Sequence, residues 1–295
     1  MDGTDSPALR DAAAGSLRRL LAAALATLLL APAPAEAVEL KPQAIEAFDR
    51  YVKLSEARID AELARGAPFL WLDALADARR EKARAELRAG RVVIEKLETL
   101  DDGRPIKSPG VIIHHWIGTV FIPGASLEQT LALIQDYDHH QDYYKPDVMR
   151  SKMLARNGND FRVYLRFYKK KVLTSVVDSE HEIHYEPVDS TRAWSRSRST
   201  HIREVENAGE SDERLKPEGN DRGLLWRIYT YWRFEQKDGG TYVECQSISL
   251  TRDIPSGLGW LLGPYVQSIP RESLTFTLTA TRTVLLRRAT GSAAK

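Results

Sequence analysis

Trp226–Leu250 reads WRIYTYWRFEQKDGGTYVECQSISL. Trp226, Ile228, Thr230, Trp232 and Phe234 alternate with Arg227, Tyr229, Tyr231 and Arg233. A strand turns successive side chains to opposite faces, so this run predicts a strand with one apolar face. Asp238-Gly239-Gly240 then supplies a tight hairpin turn into a second strand over Thr241–Leu250.

The same pattern extends towards the N-terminus. Phe161–Tyr168 (FRVYLRFY) places Phe161, Val163, Leu165 and Phe167 on one face. Val172–Tyr185 places His181, Ile183 and Tyr185 together, opposite Glu180, Glu182 and His184. Ala193–Val205 puts Ser195, Ser197 and Ser199 on one face and Arg196 and Arg198 on the other. Residues 207–221 are polar, with Gly and Pro, and read as a surface loop. Further upstream, Arg91–Glu98 and Val111–Ile122 read as strands, the second stopped by Pro123-Gly124. Ser126 is placed to cap a helix over Leu127–Tyr137, which ends in the loop Asp138–Asp147.

Two helices precede these strands, over 40–65 and over Leu70–Leu87, separated by Gly66-Ala67-Pro68. Downstream lies an apolar loop, Ile254–Val266, whose Gly and Pro content argues against a regular helix throughout. A long helix follows from about Ser268 to Arg288, offering Ile269, Leu274, Phe276, Leu278, Val284 and Leu285 to a core. The order is helical hairpin, two strands, helix, about five antiparallel strands and a long C-terminal helix. An apolar sheet face must be buried. A curved antiparallel sheet wrapped around the C-terminal helix does this, giving an α+β helix-grip fold with an N-terminal helical hairpin.

The chain begins differently. Arg18-Arg19 precedes the apolar stretch Leu20–Ala31, and Ala35-Glu36-Ala37 offers small residues at a cleavage site. The stretch is shorter than the ~20 residues that span a bilayer. This order predicts a signal peptide over 1–37, cleavage after Ala37 and a periplasmic or secreted protein. An uncleaved anchor or an amphipathic arm is the alternative. The remaining chain divides into the hairpin, 38–90, and a ligand-binding domain, 91–290.

Composition limits the partners. The 295 residues carry a net charge of +1, with 28% charged and 43% hydrophobic residues. The basic balance of a nucleic-acid binder is missing, so no nucleic-acid partner is expected. Cys245, the single cysteine, reads as a small buried hydrophobe. His114 and His115 are adjacent on a strand and face opposite ways, as do His181 and His184, so neither pair suggests a metal site. His139, His140 and Asp142 in a loop suggest adventitious binding only. Neither Gly-x-Ser-x-Gly nor Gly-x-Gly-x-x-Gly occurs, so no catalytic residue and no cofactor are expected. Lys169-Lys170-Lys171 reads as a solvated hairpin tip, with contact to an anionic membrane as the alternative.

The stretch Val111–Leu286 resembles the START-like, or SRPBCC, superfamily. The residues that carry the resemblance are Phe121-Ile122-Pro123-Gly124, Asp136-Tyr137-Asp138, Pro146-Asp147-Val148 and Trp226-Arg227. Gly239-Gly240, Leu250-Thr251-Arg252-Asp253-Ile254-Pro255 and Ile269-Pro270-Arg271 complete the set. The resemblance implies a helix grip holding an apolar ligand, such as a lipid or quinone, between the sheet and the C-terminal helix. The small Ser195, Ser197 and Ser199 leave volume on the inward face. A largely apolar pocket with a few polar groups is what a small-molecule site requires.

The expected ligand-binding residues are therefore His181, Tyr185, Trp226, Thr230, Trp232 and Phe167, with Trp260, Leu261 and Tyr144 at the pocket entrance. The primary expectation is an exported binding or transport protein for an apolar small molecule, making transient membrane contact. The alternative is a cyclase- or aromatase-like enzyme that positions a hydrophobic substrate in the same pocket. A third class is a module that binds protein through the hairpin.

Overall fold

A computed structural model describes residues 38–66, 68–170, 174–254 and 259–292. Two helices open the described chain: α1 (Pro42–Arg65) and, after a helical turn at Trp71–Ala74, α2 (Asp77–Arg88). Then come β1 (Val93–Lys96), β2 (Val111–Pro123) and α3 (Leu127–Ile134). Ser126 caps α3 reciprocally with Gln129, as its position predicts. The strands β3 (Val148–Asn157), β4 (Asp160–Lys170), β5 (Thr174–Pro187), β6 (Arg192–Glu206), β7 (Arg227–Lys237) and β8 (Gly240–Arg252) lead to α4 (Gly259–Ser292).

All pairings are antiparallel, in the order β1-β2-β8-β7-β6-β5-β4-β3. The last strand thus returns beside β2. Lys237 pairs with Gly240 across a two-residue turn. Asp238 and Gly239 there have φ of 55° and 75°, the left-handed values that a type I′ hairpin requires. The even positions of β2 face α4. Gly118 shows this directly, since a Cβ there would stand 2.8 Å from Leu278 Cδ1 and 3.4 Å from Leu274 Cδ2. Registers Gly118↔Cys245, Cys245↔Trp232, Trp232↔Ser195 and Ser195↔Tyr185 carry that inward face across the sheet.

The sheet is covered on both sides. Inside, Leu274, Leu278 and Leu285 of α4 pack with Val120, Val243, Phe234 and Ile183. Outside, Phe48, Tyr51, Val52 and Ile59 of α1 pack on Trp226, Tyr231, Ile248 and Leu250. Phe69, Leu70, Leu72 and Leu87 cover Phe121 and Tyr242. Ion pairs ring this outer seam: Arg196 to Asp60, Arg198 to Glu56 and Arg233 to Glu62.

Three expectations need correction. The stretch read as a loop, Ile254–Val266, is helical from Gly259 onward. Pro264 and Pro270 each withhold one N–H, a local cost that the long helix absorbs. The second helix, read from Leu70, begins at Asp77 and follows a 3-10 turn. Six long strands follow α3, against about five expected, because no alternation in the sequence marks β3. It is an edge strand, largely exposed, and bulges at Val148/Arg150 and Met153/Ala155 break its alternation.

Candidate ligand-binding site

The middle of the inward face is built from small and hydroxylated side chains. One row reads His114, Ser249, Ile228, Ser199, His181; the next reads Trp116, Ser247, Thr230, Ser197, Ile183. Trp116, Ile228, Thr230, Trp232 and Ser247 point to the inward side of the sheet and are only half-buried. Side chains covered by a helix remain accessible only where space is left between the layers. The serines occupy little volume on this face, whereas Gly118 lets α4 approach closely.

The polar atoms of the face are mostly satisfied within it. Trp232 Nε1–H donates to Thr230 Oγ1 at 3.1 Å, and the indole stacks on Phe234 at 6.1 Å. His181 Nε2 and Ser179 Oγ are 3.0 Å apart, and Phe167 meets the His181 ring edge-on at 6.3 Å. His114 Nε2 lies 2.9 Å from Thr251 Oγ1. Ser199 Oγ accepts from the Ile228 N–H at 3.1 Å. Burial pushes the pKa of both His114 and His181 down to about 4, so both rings are neutral at neutral pH. Among the described residues, Trp116 Nε1 is buried on this face with no hydrogen-bond partner.

One end of the interior is closed by tyrosines. Tyr137 and Tyr185 hydroxyls are 2.6 Å apart, and Tyr144 OH lies 3.1 Å from Thr281 Oγ1 of α4. Burial raises the pKa of all three phenols, so they remain protonated at neutral pH.

Of the residues expected at the site, His181, Tyr185, Thr230, Trp232 and Phe167 share the inward face. Trp226 does not. It is 1% exposed in the outer cluster with Phe48, and its Nε1–H donates to Asp221 Oδ1 at 2.8 Å. It precedes the paired part of β7, where the ladder no longer fixes which face a side chain takes. Tyr144 is buried, 4% exposed, with its hydroxyl 3.1 Å from Thr281 Oγ1 of α4. The side chains of Trp260 and Leu261 lie outside the described residues.

The histidine pairs separate as strand geometry requires. His115 faces outward, between Tyr51 OH at 2.9 Å and Gln246 Nε2 at 2.8 Å, and His184 pairs with Asp160 at 2.7 Å. Lys169 pairs with Asp147 at 2.6 Å. Among the described residues, no helix is long and apolar enough to cross a membrane.

Sequence reading missed Trp116, Ser247 and Ser249. Their signal was Gly118 in mid-strand, whose want of a side chain marks the close approach of another element and so fixes the phase of β2.

The last strand lies beside the first long one, and the terminal helix crosses the inner face. The arrangement is an α+β helix grip. No family model matches the chain, and no curated protein matches it in sequence. Solved structures with similar architecture include the Thermus thermophilus protein TTHA0849, at 18% identity and TM-score 0.42, covering 60% of this chain and 98% of that one. A STAR-related lipid transfer protein from Xanthomonas axonopodis matches at 18% identity and TM-score 0.40, covering 65% and 98%. The Zhui aromatase/cyclase from a Streptomyces species matches at 12% identity and TM-score 0.41, covering 60% and 96%. Likenesses at these scores carry nothing about ligand or reaction.

Proposed function

We propose that this chain is an exported binding or transport protein for a small molecule with an apolar skeleton, held between the sheet and α4. The observation that carries the reading is the half-buried inward group of Trp116, Ile228, Thr230, Trp232 and Ser247 beneath a helix that otherwise packs closely. Burying apolar ligand surface there is worth roughly 25 cal/mol per Å², and a few fixed polar atoms orient what enters. Native mass spectrometry of the protein purified from its host, before and after organic extraction, tests the reading. A mass excess that extraction removes is the expected result. Protein that is consistently empty and takes up nothing from a lipid panel contradicts it.

The export part of the reading rests on the basic, apolar and small-residue order of residues 18–37. N-terminal sequencing of the protein from an exporting host is expected to read Val38-Glu39-Leu40; an intact N-terminus in the soluble fraction contradicts export.

A further inference from the structure

The chain's charge is not spread evenly. Residues 145–170, which hold β3 and β4, carry eight basic and two acidic residues, a net charge of +6 in a chain of +1. Both acids are already taken, Asp147 by Lys169 at 2.6 Å and Asp160 by His184 at 2.7 Å. Some of the bases are tied as well: Arg166 to Asp178 and Glu213, Arg162 to Glu180, Lys145 to Asp142. Arg150, Lys152, Arg156 and Lys170 are exposed and make no ion pair among the described residues. Arg150 acts at longer range on Glu213, which Arg166 already holds.

Three of these four cations stand on β3, the edge strand. The same strand bears two of the five most exposed large apolar side chains among the described residues, Met149 at 47% and Leu154 at 41%. Both are bulge residues. The register passes from Val148 to Arg150 and from Met153 to Ala155, so neither has a cross-strand partner.

Charges and bulges on an edge strand can serve simply to block pairing with another chain. Here side chains already do that. Gln141 Oε1 accepts the Ser151 N–H at 2.9 Å, and Asp138 Oδ1 accepts the Met153 N–H at 2.9 Å. An added strand would find these donors occupied, so an extended peptide fits poorly. Blocking also accounts neither for two large apolar side chains left in water nor for charges of a single sign.

We propose that β3 docks the protein on an anionic lipid bilayer, with Arg150, Lys152 and Arg156 among the headgroup phosphates and Met149 and Leu154 entering the interface between them. This goes beyond the binding reading and does not depend on it. Nucleic acid offers the same phosphates but nothing to receive the two apolar side chains. The tip at Lys169-Lys170-Lys171 adds little: Lys169 is paired with Asp147, and Lys171 lies outside the described residues. Each cation held near an anionic surface is worth roughly a fivefold gain in affinity.

Co-sedimentation of the full chain with vesicles of phosphatidylglycerol and phosphatidylcholine, against phosphatidylcholine alone, tests the proposal. The wild type is expected to bind more tightly when phosphatidylglycerol is present and to lose that gain at high salt. Replacing Arg150, Lys152 and Arg156 together by Gln lowers affinity for the anionic vesicles by roughly a hundredfold. Met149→Ser with Leu154→Ser lowers it by roughly tenfold. Lys41, Lys53 and Lys82, exposed on or beside α1 and α2, provide the control; their joint replacement by Gln removes the same charge and leaves binding unchanged. Residues 1–37 are common to every variant, so differences between variants report on the substituted side chains. All of these are exposed, and thermal unfolding verifies that each variant is folded. No gain from phosphatidylglycerol, full affinity in the β3 charge variant, or an equal loss in the control overturns the proposal. Tighter binding to polyglutamate than to the anionic vesicles assigns the strand to an acidic polypeptide and overturns it too. No ligand enters the measurement, so each of these outcomes leaves the binding reading standing.

Discussion

At Gly118 the approach of α4 leaves no room for a methyl group, since a Cβ would meet Leu278 Cδ1 at 2.8 Å. Gly118→Ala is expected to force Leu278 to repack and to destabilise the protein by about 1–3 kcal/mol, the usual cost of overpacking. Urea unfolding measures it. His181 acts through a different balance. Burial holds its pKa at about 4, against 6.5 in a solvated chain. The folded value is depressed below the unfolded one, and for a base the neutral form is the one the fold prefers. Its contribution is therefore fully present above pH 6.5 and is lost as pH falls towards 4, by about 3 kcal/mol. His181→Gln is expected to flatten stability over that window. An unchanged acid transition in the variant would show that His181 is not desolvated as described.

At the scale of elements, the hairpin is part of the fold's own packing. The apolar faces of α1 and α2 are spent on the outer side of β2, β7 and β8. Glu244 lies at this seam, 1% exposed, accepting the Trp71 N–H at 3.0 Å and the Thr119 hydroxyl at 3.2 Å, with Arg233 4.0 Å away. Burial outweighs these partners and pushes its pKa up to about 7. The folded value is raised, so its contribution is full below pH 4.5 and is lost as pH rises through 7. Glu244→Gln is expected to remove that loss, leaving the variant more stable than the wild type at pH 8 by up to about 3 kcal/mol. Thermal unfolding at pH 5 and pH 8 checks the sign.

The elements also show what sequence can and cannot carry. The alternation in β4, β5 and β7 was legible because each strand has one dry face, and the serines of β6 marked where volume is left. β3 was not, because an exposed, bulged edge strand has no dry face to write a pattern. Trp226 was misplaced because alternation gives relative faces only within a paired strand, and its outer cover comes from α1, far away in sequence. Trp116 was missed for the same reason in reverse. Its phase is set by the contact between Gly118 and α4, which no local pattern contains.

At the scale of the molecule the sheet is covered on both faces, and the binding reading puts the guest on the inward rows, where half-buried side chains gather. Two surface depressions offer a contrast. One is lined by Glu180, His201, Arg203, Leu215 and Lys216, the other by the turn Asp101–Lys107, and both are polar and open. Where the ligand sits is thus the decisive point. The measurement that tests it most directly is a set of intermolecular nuclear Overhauser effects between bound 2-acetylnaphthalene and methyl-labelled protein. Contacts to Ile228, Leu274 and Leu278 are the predicted result; saturable binding with contacts confined to Leu215 or Ile106 would contradict a site beneath α4.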